Sequence, residues 1–221
     1  MMSPSLTTRR IARTAIPVLL AFPALVVAAN LVQRDEYSAA ADAVSLLALG
    51  RAGWLMTLAF VALGTGTVLI AITVRRLVRA RVGPACLTLG GILTLLSAVF
   101  QADRDGAVPT AHGQIHMALG LTNFLLVVTA MAACGLAFRR SASWRGFGTA
   151  SILWAVLALA EIVAVSALPD AVFGIAQRCF LATCIAWMIA TAALANRRAA
   201  GDAARREAAS QQLETNAAQL G

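Results

Sequence analysis

The stretch WLMTLAFVALGTGTVLIAITV, residues 54–74, decides the fold, because it contains 21 consecutive residues without a charged side chain. A helix of about 20 apolar residues is long enough to cross a hydrocarbon core of about 30 Å. The rest of the 221-residue chain has the same character, with 60% hydrophobic and 13% charged residues, whereas soluble domains average about 45–50% and 25%. The sequence therefore predicts an integral membrane protein without a separate soluble domain.

Six apolar runs of this kind follow one another along the chain. None of them shows the strict alternation of a β-barrel strand, and each can satisfy its own backbone hydrogen bonds in lipid as a helix. The prediction is an all-α, polytopic bundle of six transmembrane helices over residues 1–195, followed by a polar tail over 196–221 that begins as a solvated helix. The predicted spans are Ala15–Leu31, Trp54–Val74, Pro84–Phe100, Ile115–Phe138, Phe147–Leu168 and Gly174–Ala195.

Arginine gives the orientation, because the chain has 18 arginines and no lysine. Positively charged residues concentrate in cytoplasmic loops of membrane proteins. Fourteen arginines fall on one side of the six-span layout, which predicts cytoplasmic N- and C-termini in a bacterial cytoplasmic membrane. The net charge of +8 thus follows from topology, and no nucleic-acid partner is predicted. The four arginines on the opposite, outer side are Arg34, Arg51, Arg104 and Arg178.

The N-terminus allows a second interpretation. Residues 7–30, TTRRIARTAIPVLLAFPALVVAAN, have a basic start, an apolar centre and small residues near Ala29, as in a secretory signal. Cleavage there would leave five spans. We favour an uncleaved first helix, because the six-span count puts every arginine cluster on the cytoplasmic side.

The outer side collects most of the ionisable side chains outside the arginine clusters. The first outer connection, residues 32–53, is long and partly apolar. One interpretation is a short helix that lies in the interface or folds over the bundle as a lid. The other is a plain amphipathic surface segment. The other ionisable residues predicted on this side are Asp35, Glu36, Asp42, Asp103, Asp105, Asp170 and His112.

Residues 100–116, FQADRDGAVPTAHGQIH, lead into the fourth span. Pro109 and Thr110 are typical of a helix start, since proline suits the first turn and threonine can cap free amides. Continuing that helix places His112, His116 and Asn123 on one face. Because polar groups avoid lipid, this stripe is predicted to face the bundle interior or a water-filled cavity.

Glu161 and Arg178 lie in the fifth and sixth spans, which the short connection PDAVFG makes antiparallel neighbours. The two side chains are predicted to pair. One interpretation is a structural ion pair that locks the helical hairpin. The other is a buried carboxyl group that exchanges a proton and is positioned by the arginine.

The histidine pair has three interpretations. Imidazoles four residues apart can bind one divalent metal with a third ligand such as Asp103, Asp105 or Glu161. Position 113 is glycine, however, so the catalytic glutamate of an H-E-x-x-H motif is missing. Acid–base histidines and histidines that only form hydrogen bonds at a helix start are the alternatives. A haem held by two histidines is excluded, since both lie on one helix face, and the prediction contains no metal and no cofactor.

Three blocks resemble a known family. These are residues 45–66, SLLALGRAGWLMTLAFVALGTG, residues 100–116, and residues 174–181, GIAQRCFL. They are similar to the signature blocks of the bacterial membrane family called domain of unknown function 998, a resemblance that covers most of the chain and implies six membrane helices. Its blocks correspond to Phe100–Asp103, His112–His116 and Gly174–Arg178, with Gln101 where the family often has proline. The resemblance implies no reaction.

Two functional hypotheses follow. The first is an enzyme with an outward-facing polar pocket that isomerises, cyclises or hydrolyses a lipid or another apolar small molecule, with Asp103, His116 and Glu161 as catalytic residues. The second is a protein that binds a lipid headgroup, transports or assists assembly without turnover, with Arg178 and Arg51 holding an anionic headgroup. Polar groups at membrane depth cost stability, which favours the enzyme. The predicted partners are membrane lipids and a hydrophobic ligand, and the predicted binding residues are His112, Asn123, Arg178, Arg51 and Trp54.

Overall fold

The computed structural model describes residues 4–104 and 106–220. These residues form six α-helices, and no strand occurs among them. Two short 3-10 helices, Val44–Leu49 and Asp170–Val172, precede α2 and α6. The all-α prediction is confirmed, and the six helices are α1 Pro4–Val32, α2 Gly53–Leu77, α3 Val82–Ser97, α4 Ala111–Arg139, α5 Arg145–Ala167 and α6 Phe173–Leu220.

Five segments of the described chain are long and apolar enough to cross a membrane, and α3 is shorter. With a rise of 1.5 Å per residue, the 16 residues of α3 extend about 24 Å, less than a hydrocarbon core of about 30 Å. The protein is therefore a multi-pass integral membrane protein. The five segments are Leu6–Val32, Gly53–Leu77, Ala111–Arg139, Arg145–Ala167 and Asp170–Gly201.

Helices α1 to α5 pack mainly against their neighbours in sequence, whereas α6 packs more extensively against α1 than against α5, so the bundle closes on itself. Short connections favour this arrangement, since consecutive helices are then antiparallel neighbours. The core includes large side chains of α6: Trp187 is fully buried and donates a hydrogen bond of 3.0 Å to Ser151 of α5. Phe180 packs against Phe124 of α4 with ring centroids 4.7 Å apart. The α6 helix therefore contributes much of the apolar interior.

The connection between α1 and α2 is folded onto the bundle. It contains the 3-10 helix Val44–Leu49, which confirms the predicted short helix, with Val44 and Leu47 buried. Gln33, also buried, donates a hydrogen bond of 3.1 Å to the Leu47 carbonyl. We name residues 33–52 the outer loop, after the side of the membrane that the arginine distribution predicts for it. Its buried side chains Val44 and Leu47 are inserted, so it covers the adjacent ends of α1, α2 and α6.

The chain beyond residue 195 continues the last helix. The α6 helix has 48 residues and extends to Leu220, so the predicted boundary at 195 falls inside a continuous helix. The apolar part of this segment ends near Gly201. The alanine-rich tail favours continuation of the helix, because alanine has the highest helix propensity.

Candidate functional site

The start of α4 is a closed network of hydrogen bonds. Thr110 is the N-cap residue, and its hydroxyl accepts a hydrogen bond of 3.1 Å from the Gly113 amide. Asp103 in turn accepts bonds from the Thr110 amide at 2.8 Å and from the Thr110 hydroxyl at 2.7 Å. The predicted threonine cap is confirmed, whereas Pro109 precedes the cap and does not lie in the first turn of the helix. The carboxylate of Asp103 is used to cap a helix.

This network leaves little space around Asp103. A Cβ atom added at Gly113 would overlap the Asp103 carboxylate, so the glycine lets the carboxylate approach the helix. The Thr110 hydroxyl and then the Thr110 amide hold the pKa of Asp103 below its usual value, against an opposing effect of desolvation, and the nearby His112 lowers it slightly further. Donors that bond the charged form stabilise it. The predicted partner Asp105 lies outside the described residues.

The two histidines have different surroundings. The His112 side chain is exposed, and its ring lies 5.3 Å from the Phe100 ring. His116 is only 9% exposed, and its Nδ1 lies 2.8 Å from the Phe100 carbonyl oxygen. Its ring also meets the edge of Phe60 at 6.0 Å. Among the described residues no group of three or more His, Cys, Asp or Glu side chains could hold a metal ion.

Asn123 continues the polar stripe of α4 towards the bundle. Its amide nitrogen donates a hydrogen bond of 3.1 Å to the Thr94 hydroxyl of α3. Its carbonyl oxygen is buried without a hydrogen-bond partner and lies over Gly90. His116 and Asn123 thus both bond to α3 or to the residues that follow it, and the stripe fastens α4 to α3.

Glu161 and Arg178 do not pair, and this prediction is wrong. Glu161 Oε1 accepts a hydrogen bond of 2.9 Å from Thr183 of α6, and Oε2 is buried without a partner. Thr183 lies five residues beyond Arg178, about 7.5 Å along the helix axis at 1.5 Å per residue. The carboxyl group therefore sits more than one helical turn deeper than the guanidinium group.

Arg178 instead fastens the outer loop to α6. Its Nη1 donates to the carbonyl oxygens of Ala39 at 2.8 Å, Asp42 at 3.3 Å and Gly174 at 2.9 Å. Its Nη2 donates to the Tyr37 hydroxyl at 2.6 Å. Every one of these acceptors is a neutral oxygen. In the part of the chain that the structure describes, no carboxylate lies within ion-pair distance of Arg178.

Other contacts hold the same loop. The Gln177 side chain accepts a hydrogen bond of 2.8 Å from the Val44 amide, and the Ile175 amide donates one of 3.1 Å to the Ala40 carbonyl. Burial raises the pKa of the Tyr37 hydroxyl, an effect that the hydrogen bond and charge of Arg178 oppose. At Gly174, a Cβ atom would come within 2.5 to 2.9 Å of three loop carbonyl oxygens. The loop backbone therefore rests directly on the start of α6.

A groove lies beside this contact. It has a volume of about 380 Å³ between α1 and α6, and the outer loop closes part of it. Its walls are mainly apolar and include Phe22 and Val26 of α1 and Leu181 and Ile185 of α6. Two polar groups also line the groove: Arg178, and Asn30 near the end of α1.

The remaining predicted binding residues do not belong to this groove. Arg51 is exposed and donates to the Val32 carbonyl oxygen through Nε at 2.9 Å and also through Nη2, so it binds the end of α1. Trp54 is 63% exposed at the start of α2. The predicted catalytic residues are also apart: no hydrogen bond or ion pair joins any two of Asp103, His116 and Glu161, all of which the structure describes.

Three residues around Arg178 and the groove were not identified from the sequence. Tyr37 and Gln177 hold the loop, and Asn30 lines the groove. The sequence carries a signal for two of them. Tyr37 is the only tyrosine in the chain and lies in the outer loop, and Gln177 directly precedes Arg178.

These features define the class: a multi-pass α-helical membrane protein with a structured outer loop docked on its last helix. The chain belongs to the family described as "Protein of unknown function (DUF998)", whose model matches residues 15–194. The family resemblance of the sequence blocks is thereby confirmed. No curated protein and no solved structure matches the chain.

Proposed function

We propose that this protein binds an anionic amphiphile, such as a phospholipid, in the groove between α1 and α6. The phosphate lies at Arg178 and Asn30, and the apolar chain lies along walls such as Val26 and Leu181. One observation carries the proposal: a cation with only neutral acceptors lines a mainly apolar groove.

Electrostatics supports this assignment. A charged side chain at membrane depth is costly and usually faces a partner or a cavity. The four neutral oxygens around Arg178 accept hydrogen bonds from Nη1 and Nη2, and none of these bonds uses Nε. Neutral oxygens do not neutralise the charge of the guanidinium group. A phosphate group would supply the missing negative charge through charge-assisted hydrogen bonds, for which a guanidinium group is well suited.

The proposed topology has six spans with both termini in the cytoplasm of a bacterial cell. It counts α3 as the sixth span and follows from the arginine distribution. Arg178, near the start of α6, then lies towards the outer leaflet. The bound lipid would enter from that leaflet, beside the outer loop.

A second candidate is acid–base chemistry on an apolar substrate, favoured by the buried, unpartnered Oε2 of Glu161. Asp103 and His116 have other partners, so this hypothesis now depends on Glu161 alone. Glu161→Gln separates it from the first candidate, because binding at the groove would persist while turnover of a bound substrate would stop.

The test compares lipid retention by purified full-length variants. Native mass spectrometry would measure phosphatidylglycerol and phosphatidylcholine bound to protein in neutral detergent. Arg178→Gln should lower phosphatidylglycerol binding by about tenfold or more, as expected for loss of a charge-assisted contact. Arg51→Gln is the control, because Arg51 is an outer arginine that does not line the groove.

A second variant separates binding from loop docking. Val26→Trp fills the groove from α1 and leaves the contacts of Arg178 in place. It should also lower lipid retention. If Val26→Trp and Arg178→Gln both retain phosphatidylglycerol like the wild type, the groove does not bind lipid and the proposal fails.

A further inference from the structure

The last turn of α2 and the connection to α3 together contain four arginines within residues 75–81. This segment lies at the end of α2 that is remote from the outer loop. Arg75 and Arg76 end α2, and Arg79 and Arg81 precede α3. All four line one concave pocket of about 510 Å³, whose lining comes from residues 75–81 alone. We name this segment the arginine loop.

The backbone explains how one short segment forms a pocket. Val78 leaves the helix in an extended conformation while its amide still bonds the Val74 carbonyl at 3.1 Å. The Ala80 amide then bonds the Val78 carbonyl at 2.8 Å, which makes a tight turn. The chain therefore reverses within four residues, and the arginines at the end of α2 and before α3 border the same space.

The charge of this pocket is uncompensated. All four arginine side chains are exposed, and none is within ion-pair distance of a carboxylate among the side chains that the structure describes. Two arginines elsewhere on this side do have individual contacts: Arg9 donates to the Asn196 side chain at 3.4 Å, and Arg198 lies over the Trp144 ring at 4.1 Å. The arginine loop thus concentrates like charges that repel one another, and a multivalent anion would relieve that repulsion.

The general preference for positive residues on the cytoplasmic side accounts for the side of the membrane on which the loop lies. It requires no pocket that four arginines line together. We propose that the arginine loop binds a phosphate group, carried either by an anionic lipid headgroup or by a soluble phosphate compound. Guanidinium groups bind phosphate oxygens in pairs of parallel hydrogen bonds, and clusters of basic residues beside membrane helices bind anionic headgroups. This site is independent of the α1–α6 groove.

The test uses full-length protein and two probes. Isothermal titration calorimetry in neutral detergent measures inorganic pyrophosphate, and native mass spectrometry measures cardiolipin against phosphatidylcholine. The double variant Arg79→Gln/Arg81→Gln should weaken binding of the preferred probe about tenfold or more, since each arginine near the anion contributes to the attraction. Arg75→Gln/Arg76→Gln, on the other wall of the pocket, should have a similar effect.

The matched control is Arg139→Gln/Arg140→Gln. It removes the same charge at the end of α4, where the arginines do not line the pocket, and it should bind like the wild type. Thermal unfolding of all variants checks that exposed substitutions leave the fold intact. Preference for cardiolipin would identify a lipid headgroup as the ligand, and preference for pyrophosphate a soluble phosphate.

Two results would overturn the proposal. Equal weakening by the control and by the loop variants would mean that total charge alone attracts the anion. Failure of the wild type to bind either probe would mean that the pocket is not a phosphate site.

Discussion

The starts of α4 and α6 each hold a charged side chain among neutral hydrogen-bonding partners, and they differ in whether that side chain borders an apolar groove. At the start of α4, the Asp103 carboxylate receives two hydrogen bonds from Thr110, and the cap is closed. At the start of α6, the Arg178 guanidinium meets only neutral oxygens and borders an apolar groove. Charged residues in a sequence motif can therefore be structural, while a single cation next to an apolar surface is the better indication of a binding site.

The largest expected effect is at Arg178. Arg178→Ala removes the hydrogen bonds to Tyr37 and to three carbonyl oxygens, and should lower the free energy of unfolding by about 3 kcal/mol, given the usual values for bonds to charged groups. Thermal unfolding in detergent measures the loss, and limited proteolysis should show cleavage within the outer loop. Arg51→Ala is the control, with a smaller effect. Unchanged protease resistance of the Arg178 variant would contradict the proposed fastening of the loop.

Gly174→Ala tests the same contact without changing charge. The added Cβ would come within 2.5 to 2.9 Å of the carbonyl oxygens of Asp42, Ala39 and Ala40, and backbone atoms cannot move aside cheaply. We expect a loss of about 2 kcal/mol from overpacking and faster hydrogen exchange in the outer loop. Gly120→Ala, where a Cβ would meet nothing within 4 Å, should be nearly neutral. Equal stability of the two variants would show that the loop is not tightly seated.

At the start of α4, Thr110→Ala removes the N-cap of the helix. The loss should be about 1 kcal/mol, the typical cost of replacing an N-cap threonine by alanine. Thr88→Ala is a suitable control, because Thr88 bonds only the Pro84 carbonyl of its own helix. Chemical unfolding in detergent would compare the two. A larger loss than that of Arg178→Ala would reverse the order proposed for the two regions.

The smallest effect concerns pH. The folded-state pKa of Asp103 is lowered from 3.8, mainly by the Thr110 hydroxyl and amide. Its stabilising contribution is therefore fully present above pH 3.8 and is lost as pH falls through the lower folded-state value. The melting temperature of the wild type should fall more steeply below pH 3.8 than that of Asp103→Asn, which cannot titrate. Parallel curves for the two proteins would contradict the capping role of the carboxylate.

The sequence predicted much of this architecture, because the relevant signals are local. The apolar runs located all six helices to within a few residues except at the N-terminus of α1 and the C-terminus of α6, where the helices continue into polar sequence. Thr110 was identified as a cap from its position ahead of the fourth run. The polar stripe of α4 was also visible, since its period follows from helix geometry.

The site was less predictable. Glu161 and Arg178 looked like partners because their helices are adjacent, and adjacency does not fix the axial offset of two side chains. Arg51 and Arg178 likewise seemed equivalent as outer cations, although only Arg178 lines the groove.

The sequence by itself determined the membrane class, the positions of the helices and the helix cap at Thr110, because hydrophobicity and capping act within one turn or one span. Only the tertiary structure decided that Arg178 holds the outer loop, that Glu161 bonds Thr183 and that a groove opens between α1 and α6. These contacts join residues more than 20 positions apart. Their geometry depends on the packing of whole helices and on the path of the loop.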